Sequence, residues 1–269
     1  QSLSAENLNT KILGTDDISK IKNSDAIIIT AGIPRKPGMS RDDLIETNFK
    51  VMKSIGEAIK RYSPESFVIC VTNPLDAMVW SLKETSGIKK NMILGMAGIL
   101  DSARFKFFLS ELLKVSVCNI DTMVLGGHGD TMVPLLDYTT ISGVPLNEFT
   151  KINNIDEKFI EKIVDRTRNG GGEIVSLMKN SSAFFSPAVS AIEMLESYLN
   201  NQKKILPCSA YLSGEYNIKD LCVGVPVCIG SNGVEKIIEL NLKQNEQIQF
   251  EQSVKAVDEL IKKCKKLLV

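Results

Sequence analysis

The 269-residue chain has one histidine and one tryptophan, and aromatic residues make up only 6% of it. With no second imidazole, any histidine-dependent chemistry must use His128. Charge of one sign is not in excess. Lys plus Arg and Asp plus Glu both total 32, so no net field favours nucleic acid or an acidic membrane as partner, and any anion recognition must be local. No apolar stretch approaches the ~20 residues of a membrane span, and Gln1 to Asn7 is too polar for a secretory signal. The six cysteines (Cys70, Cys118, Cys208, Cys222, Cys228, Cys264) form no C-x-x-C pair and lie mostly in apolar runs. That pattern excludes a disulfide frame or a zinc site and fits reduced core residues. These shortages together predict a soluble, cytoplasmic protein with no metal, nucleic-acid or membrane partner.

What is present alternates strand and helix. Ala26 to Thr30 and Ser66 to Thr72 are short β-branched runs of the kind that forms parallel strands covered on both faces. Between them Ser40 and Asp43 open a helix with Leu44, Met52, Ile55 and Ile59 at helical spacing, which Ser63-Pro64 ends. Met92 to Met96 reads as another strand and Ser102 to Val115 as a helix with Phe105, Phe108, Leu109 and Leu112 on one face. The second half changes character. Strand runs break at the hairpin signals Ser142-Gly143, Ser213-Gly214 and Ser231-Asn232-Gly233, and long helical patterns cover Asp156 to Lys179, Pro187 to Leu199 and Glu246 to Leu268. The apolar stripe of the last, from Phe250 to Leu268, reads as packing surface. The expected architecture is an open, mainly parallel α/β sheet followed by an α+β domain, with ligands at the carboxyl ends of strands.

Three strand ends and the histidine carry candidate chemistry. His128 sits in Gly126-Gly127-His128-Gly129-Asp130, where small neighbours leave the ring uncrowded; a general acid/base and a hydrogen-bonded core histidine are both consistent with it. The loop Thr30-Ala31-Gly32-Ile33-Pro34-Arg35 through Arg41 reads as an anion-contacting loop or as a basic surface loop with a helix cap. Val71-Thr72-Asn73-Pro74 is a ligand loop or an ordinary Asn-Pro turn. Asp101 and Arg104, three apart at a helix start, share a face as site residues or as a cap with an exposed ion pair.

The strings ITAGIPRKPGMSRDDL (29 to 44), VTNPLD (71 to 76), GILDSARF (98 to 105) and LGGHGDTMVPL (125 to 135) resemble the lactate/malate dehydrogenase family, in order and spacing over nearly the whole chain. The resemblance implies a Rossmann-type doubly wound parallel sheet over residues 1–96, with its N-terminal part missing, and an α+β substrate domain over 97–269. It implies NAD-dependent hydride transfer with His128 exchanging the hydroxyl proton. Asp101 would orient the other ring nitrogen, Arg104 would clamp the substrate α-carboxylate, and Arg41 would polarise the reacting carbonyl. Asn73 would contact substrate beside the nicotinamide. Thr30, Ala31, Gly32, Asn48, Val71 and Thr72 match cofactor-contacting positions. Arg35 stands where the family places the partner of a distal carboxylate, so malate and oxaloacetate are the implied dicarboxylate substrates. A dimer or tetramer of this chain is the implied assembly.

The front departs from that pattern. A dinucleotide fold opens with a strand, G-x-G-x-x-G and a helix, then an acid ~20 residues on, and this sequence has none of them. A familiar strand is expected only at Thr10 to Gly14, and Gly170-Gly171-Gly172 cannot substitute because it lies within a helical pattern. The expectation is a truncated or unbuilt front, with NAD rather than NADP implied by the family alone. Two alternatives remain at this point: a lactate or other 2-hydroxy acid dehydrogenase, and a catalytically silent fragment.

Overall fold

The computed structural model describes residues 11–34, 41–179 and 183–268; of residues 41 and 42 it describes the main chain. In chain order the elements are β1 (Ala26–Ile29), α1 (Arg41–Tyr62), β2 (Phe67–Cys70), α2 (Leu75–Ser86), β3 (Ile93–Gly95) and α3 (Gly98–Leu113). Short strands follow, β4 (Ile120–Asp121), β5 (Val124–Leu125), β6 (Val133–Pro134), β7 (Thr140–Ile141) and β8 (Val144–Pro145). The rest comprises α4 (Leu146–Ile152), α5 (Glu157–Met178), α6 (Phe185–Leu199), β9 (Lys204–Ser213), β10 (Lys219–Gly230), β11 (Gly233–Ile237) and α7 (Gln244–Leu268).

One six-stranded sheet in the order β1-β2-β3-β9-β10-β11 organises the molecule. Its first three strands are parallel and its last three antiparallel. The halves join through a single pair, Gly95 with Ser209. Glycine is required at that junction, since a Cβ on Gly95 would stand 2.7 Å from Val79 Cγ2 and 2.9 Å from Ser209 Cβ. β2 is buried at every position, as expected for a strand covered on both faces, and Phe67, Val68 and Ile69 each contribute roughly 1.5–3 kcal/mol of burial. Among the described residues β1 is the outermost strand on its side, and Ile28 is exposed.

The main core runs from Ile29 through Phe67 and Leu94 to Val225 and Cys264, across residue 96. A smaller core joins Phe105, Leu109 and Leu113 of α3 to Ile120, Met132, Ile141 and Ile160. The apolar stripe of α7 packs as expected, with Phe250, Val257, Ile261 and Cys264 buried. Ser142 and Gly143 both take positive φ, 48° and 84°, which gives the primed two-residue turn that matches the twist of a hairpin. All six cysteines are free, and four of them, Cys70, Cys208, Cys222 and Cys264, are buried.

Two expectations are corrected. Lys11 to Gly14 are exposed and belong to no strand, because among the described residues nothing pairs with them. The helix expected from Ser102 begins at Gly98, its first turn closed by the Asp101 N–H donating to the Ala97 carbonyl. Asp101 and Ser102 therefore lie inside the helix instead of capping it. Ser40, read as the cap of α1, lies outside the described residues.

Candidate active site

α3 and the turn after β5 bring three charged side chains together. His128 Nδ1 stands 2.7 Å from Asp101 Oδ2, while Arg104 Nη1 is 3.4 Å from Asp101 Oδ1. Their side chains are 15%, 2% and 13% exposed for His128, Asp101 and Arg104, so Asp101 and Arg104 form no exposed ion pair but part of a buried cluster around one carboxylate. Asp101 holds the imidazole with Nδ1 inward, which leaves Nε2 for a ligand. Arg104 Nε is buried with no partner among the described residues, a directed donor of the kind a carboxylate ligand satisfies. Gly170 of α5 makes room for it: a Cβ there would lie 3.2 Å from Arg104 Cδ. The glycine run lies within α5, as its helical pattern predicted.

The histidine's proton affinity is set by opposing causes. Burial works most strongly against the imidazolium and the Arg104 charge adds to it, but the charge and hydrogen bond of Asp101 together with the charge of Asp76 outweigh both. The net effect raises His128 above its ordinary value.

The carboxyl ends of β1 and β2 carry the second part of the site. Thr30, Ala31 and Gly32 are exposed there, as is Asn73. Gly32 lies flush on its neighbours, since a Cβ would come within 2.4 Å of Thr72 Cγ2 and 3.3 Å of Asn48 Oδ1. Thr72 donates to the Ala31 carbonyl at 2.6 Å, and the Val71 N–H donates to the Ile29 carbonyl. Asn48 is buried and brackets both loops: Oδ1 accepts from the Ile33 N–H at 2.8 Å, and Nδ2 donates to the Asn73 carbonyl at 2.7 Å. Asn48 and Thr72 thus build the cradle from below, while Thr30 to Gly32 and Asn73 face outward. This flush, exposed turn lets a ligand at the strand ends approach the main chain closely. Arg35 lies outside the described residues, as does the Arg41 side chain. Among the described residues no group of three His, Cys, Asp or Glu side chains could hold a metal ion.

Sequence reasoning missed three further groups. Asp76 of α2 accepts the His128 N–H at 2.9 Å, Ser253 of α7 accepts the Gly127 N–H at 2.9 Å, and Ser209 of β9 donates to Asp76 at 2.6 Å. Asp76 did stand inside a string singled out above, and its place in the first turn of α2 was a signal that went unused. For Ser209 and Ser253 the sequence offers none.

Loops at the carboxyl ends of parallel strands together with a buried histidine, aspartate and arginine place this chain among α/β proteins of the kind that bind ligands at strand ends. The NAD binding domain of lactate/malate dehydrogenase matches residues 1–95, and the alpha/beta C-terminal domain matches residues 99–268. The chain is 53% identical over 260 residues to a malate dehydrogenase of Methylobacterium radiotolerans, covering 97% of this chain and 81% of that protein. A crystal structure of Cryptosporidium parvum malate dehydrogenase superposes with a TM-score of 0.93 at 46% identity, covering 96% of this chain and 82% of that one. A Plasmodium falciparum malate dehydrogenase in complex with NADH gives 0.92 at 40%, covering 100% of this chain and 85% of that one. A lactate dehydrogenase of Cryptosporidium parvum complexed with lactic acid and the cofactor gives 0.93 at 39%, covering 98% and 84%. The chain belongs to the lactate/malate dehydrogenase family.

Proposed function

We propose that this chain is an NAD-dependent malate dehydrogenase that interconverts malate and oxaloacetate, with residues 1–96 serving the cofactor and residues 97–269 the substrate. The observation that carries this reading is the buried His128, Asp101 and Arg104 cluster, in which one carboxylate fixes both an acid/base and a carboxylate clamp. Bound at the loops after β1 and β2, NAD would supply the acceptor and donor for hydride exchange with the substrate's hydroxyl-bearing carbon. His128 Nε2 takes the hydroxyl proton in oxidation and returns it in reduction, while Asp101 holds the ring and stabilises its charged form. Arg104 binds the α-carboxylate through Nε and its outer nitrogens, and Arg41 stabilises the oxygen on which charge develops. Thr30, Ala31, Gly32 and Asn73 would face the nicotinamide end, with Asn48, Val71 and Thr72 holding their loops in place.

Arg35 is proposed as the partner of the distal carboxylate. A closed site with an unpaired guanidinium disfavours pyruvate, whose methyl group cannot neutralise it. Arg35→Gln is expected to lower kcat/KM for oxaloacetate by roughly 30-fold or more, the equivalent of about 2–5 kcal/mol, and to raise it for pyruvate. An unchanged oxaloacetate-to-pyruvate ratio would reassign Arg35 to the surface, and a wild-type preference for pyruvate would make the enzyme a lactate dehydrogenase.

The raised proton affinity of His128 has a sign in both directions of the reaction. Reduction needs the imidazolium and should persist above the ordinary histidine value of about 6.5; oxidation needs the neutral ring, so its acid limb should lie above that value. The same shift stabilises the fold fully below about pH 6.5, and the contribution is lost as pH rises through the folded-state value. A profile of kcat/KM for malate against pH that falls off only below 6.5 would contradict this assignment.

Assembly into a homodimer or homotetramer and a cytoplasmic location are part of the same proposal. The apolar outer face of α6, with Phe185, Val189, Ile192 and Leu199 exposed, supports the first, and light scattering of the purified protein decides it. No described helix is long and apolar enough to cross a membrane.

A further inference from the structure

His128 stands where strand pairing ends. Gly126 still exchanges both main-chain hydrogen bonds with Gly224 of β10, but the next two N–H groups have no strand to bond. Buried main-chain donors need acceptors, and here both are side chains from distant helices: Ser253 Oγ for Gly127 and Asp76 Oδ2 for His128. Gly127 admits no side chain, because a Cβ would lie 2.5 Å from Val257 Cγ2 and 3.5 Å from Asp76 Oδ2.

Asp76 is an expensive group to place there. It is 4% exposed, and its second oxygen accepts from Ser209 Oγ, itself fully buried. A residue serving only to favour the start of α2 could do so from the surface. Asp76 also stands three residues after Asn73, in a turn locked by the Met78 N–H donating to the Pro74 carbonyl. One rigid turn therefore ties the loop at the end of β2 to the main chain of the acid/base.

We propose that Asp76 is a positioning residue for the reaction: it fixes the His128 main chain against the loop carrying Asn73 and sets a second carboxylate beside the imidazole. The inference rests on the reading of His128 as the acid/base. The charged groups facing His128 are Asp101 and Arg104 from α3 and Asp76 from α2; α7 contributes the neutral Ser253 and β10 the neutral Gly224. Asp101 acts on the imidazole more strongly than Arg104 opposes it, and Asp76 adds a second negative influence in the same direction. Burial raises Asp76 above the usual carboxylate range, opposed by the donors Ser209 and His128 N–H and by the histidine's charge.

Asp76→Asn separates charge from scaffold, because the amide keeps an acceptor for the His128 N–H. The single histidine makes its NMR titration unambiguous, and that titration requires neither substrate nor cofactor. In Asp76→Asn the histidine is expected to titrate lower by about half a unit or more, with kcat down about tenfold or more and KM for oxaloacetate within about threefold. Asp76→Ala should lose more turnover, the acceptor being gone as well. Wild-type titration and kcat in a folded Asp76→Asn protein would overturn the proposal. Should that variant not fold, Ser209→Ala carries the test: stripping the donor from the carboxylate should lower both the titration and kcat, and unchanged values would overturn the proposal equally. Turnover surviving His128→Asn would instead remove the acid/base reading, while the histidine titration still reports on Asp76.

Discussion

His128→Asn should lower kcat by roughly 10²- to 10⁴-fold in both directions, the range that a positioned general acid/base supplies. The chain has no second histidine to substitute, and the neighbouring Asp101 is committed to Nδ1 and to Arg104. Asparagine can keep a hydrogen bond to Asp101 but exchanges no proton near neutral pH. NADH affinity should be nearly unchanged, since the strand-end loops assigned to the cofactor are held by Asn48 and Thr72 and not by the imidazole. Steady-state turnover of oxaloacetate alongside an NADH titration makes the comparison, and turnover within tenfold of wild type would sink the assignment of His128.

The second large effect is expected at Arg104. Its side chain is 13% exposed, paired with the 2% exposed side chain of Asp101, and rests its stem on the bare face of Gly170. Arg104→Gln removes the cation proposed to bind the substrate carboxylate and leaves Asp101 with His128 as its remaining charged partner among the described residues. Truncating one partner of a buried, hydrogen-bonded charge pair between protein and ligand costs about 2–5 kcal/mol, or roughly 30- to 4,000-fold in kcat/KM. Arg104→Lys should recover only part of that loss, because an ammonium cannot present the two-pronged donor set. KM for oxaloacetate should rise together with the fall in kcat/KM. A kcat/KM within threefold of wild type in Arg104→Gln would show that the substrate carboxylate is bound elsewhere.

Much of the fold was legible because its signals are local. The apolar runs gave β2 and β3, the helical spacing from Leu44 to Ile59 gave α1, and Ser142-Gly143, Ser213-Gly214 and Ser231-Asn232-Gly233 marked the hairpins. The misreadings also have a local cause. Asp101 and Ser102 look like cap residues, and only the buried Gly98-Ile99-Leu100 turn ahead of them shows that α3 has already begun. Lys11 to Gly14 has the composition of a strand, but strand formation depends on a partner that composition does not record.

The sequence by itself determined which groups are the candidates for the chemistry: one histidine in a glycine-rich turn, an Asp and an Arg three apart, and loops after two β-branched runs. Each is a short-range pattern, readable from residue type and spacing. The tertiary structure alone decided how these groups meet. It made Asp101 a buried carboxylate shared by His128 and Arg104, joined parallel and antiparallel strands at Gly95 and Ser209, and brought Asp76, Ser209 and Ser253 to the histidine turn. The hydrogen bonds from His128 to Asp76, from Gly127 to Ser253 and from Ser209 to Asp76 span 52, 126 and 133 residues. Such contacts leave no periodicity in the chain, because they are fixed by the packing of whole elements and not by the preferences of the residues that make them.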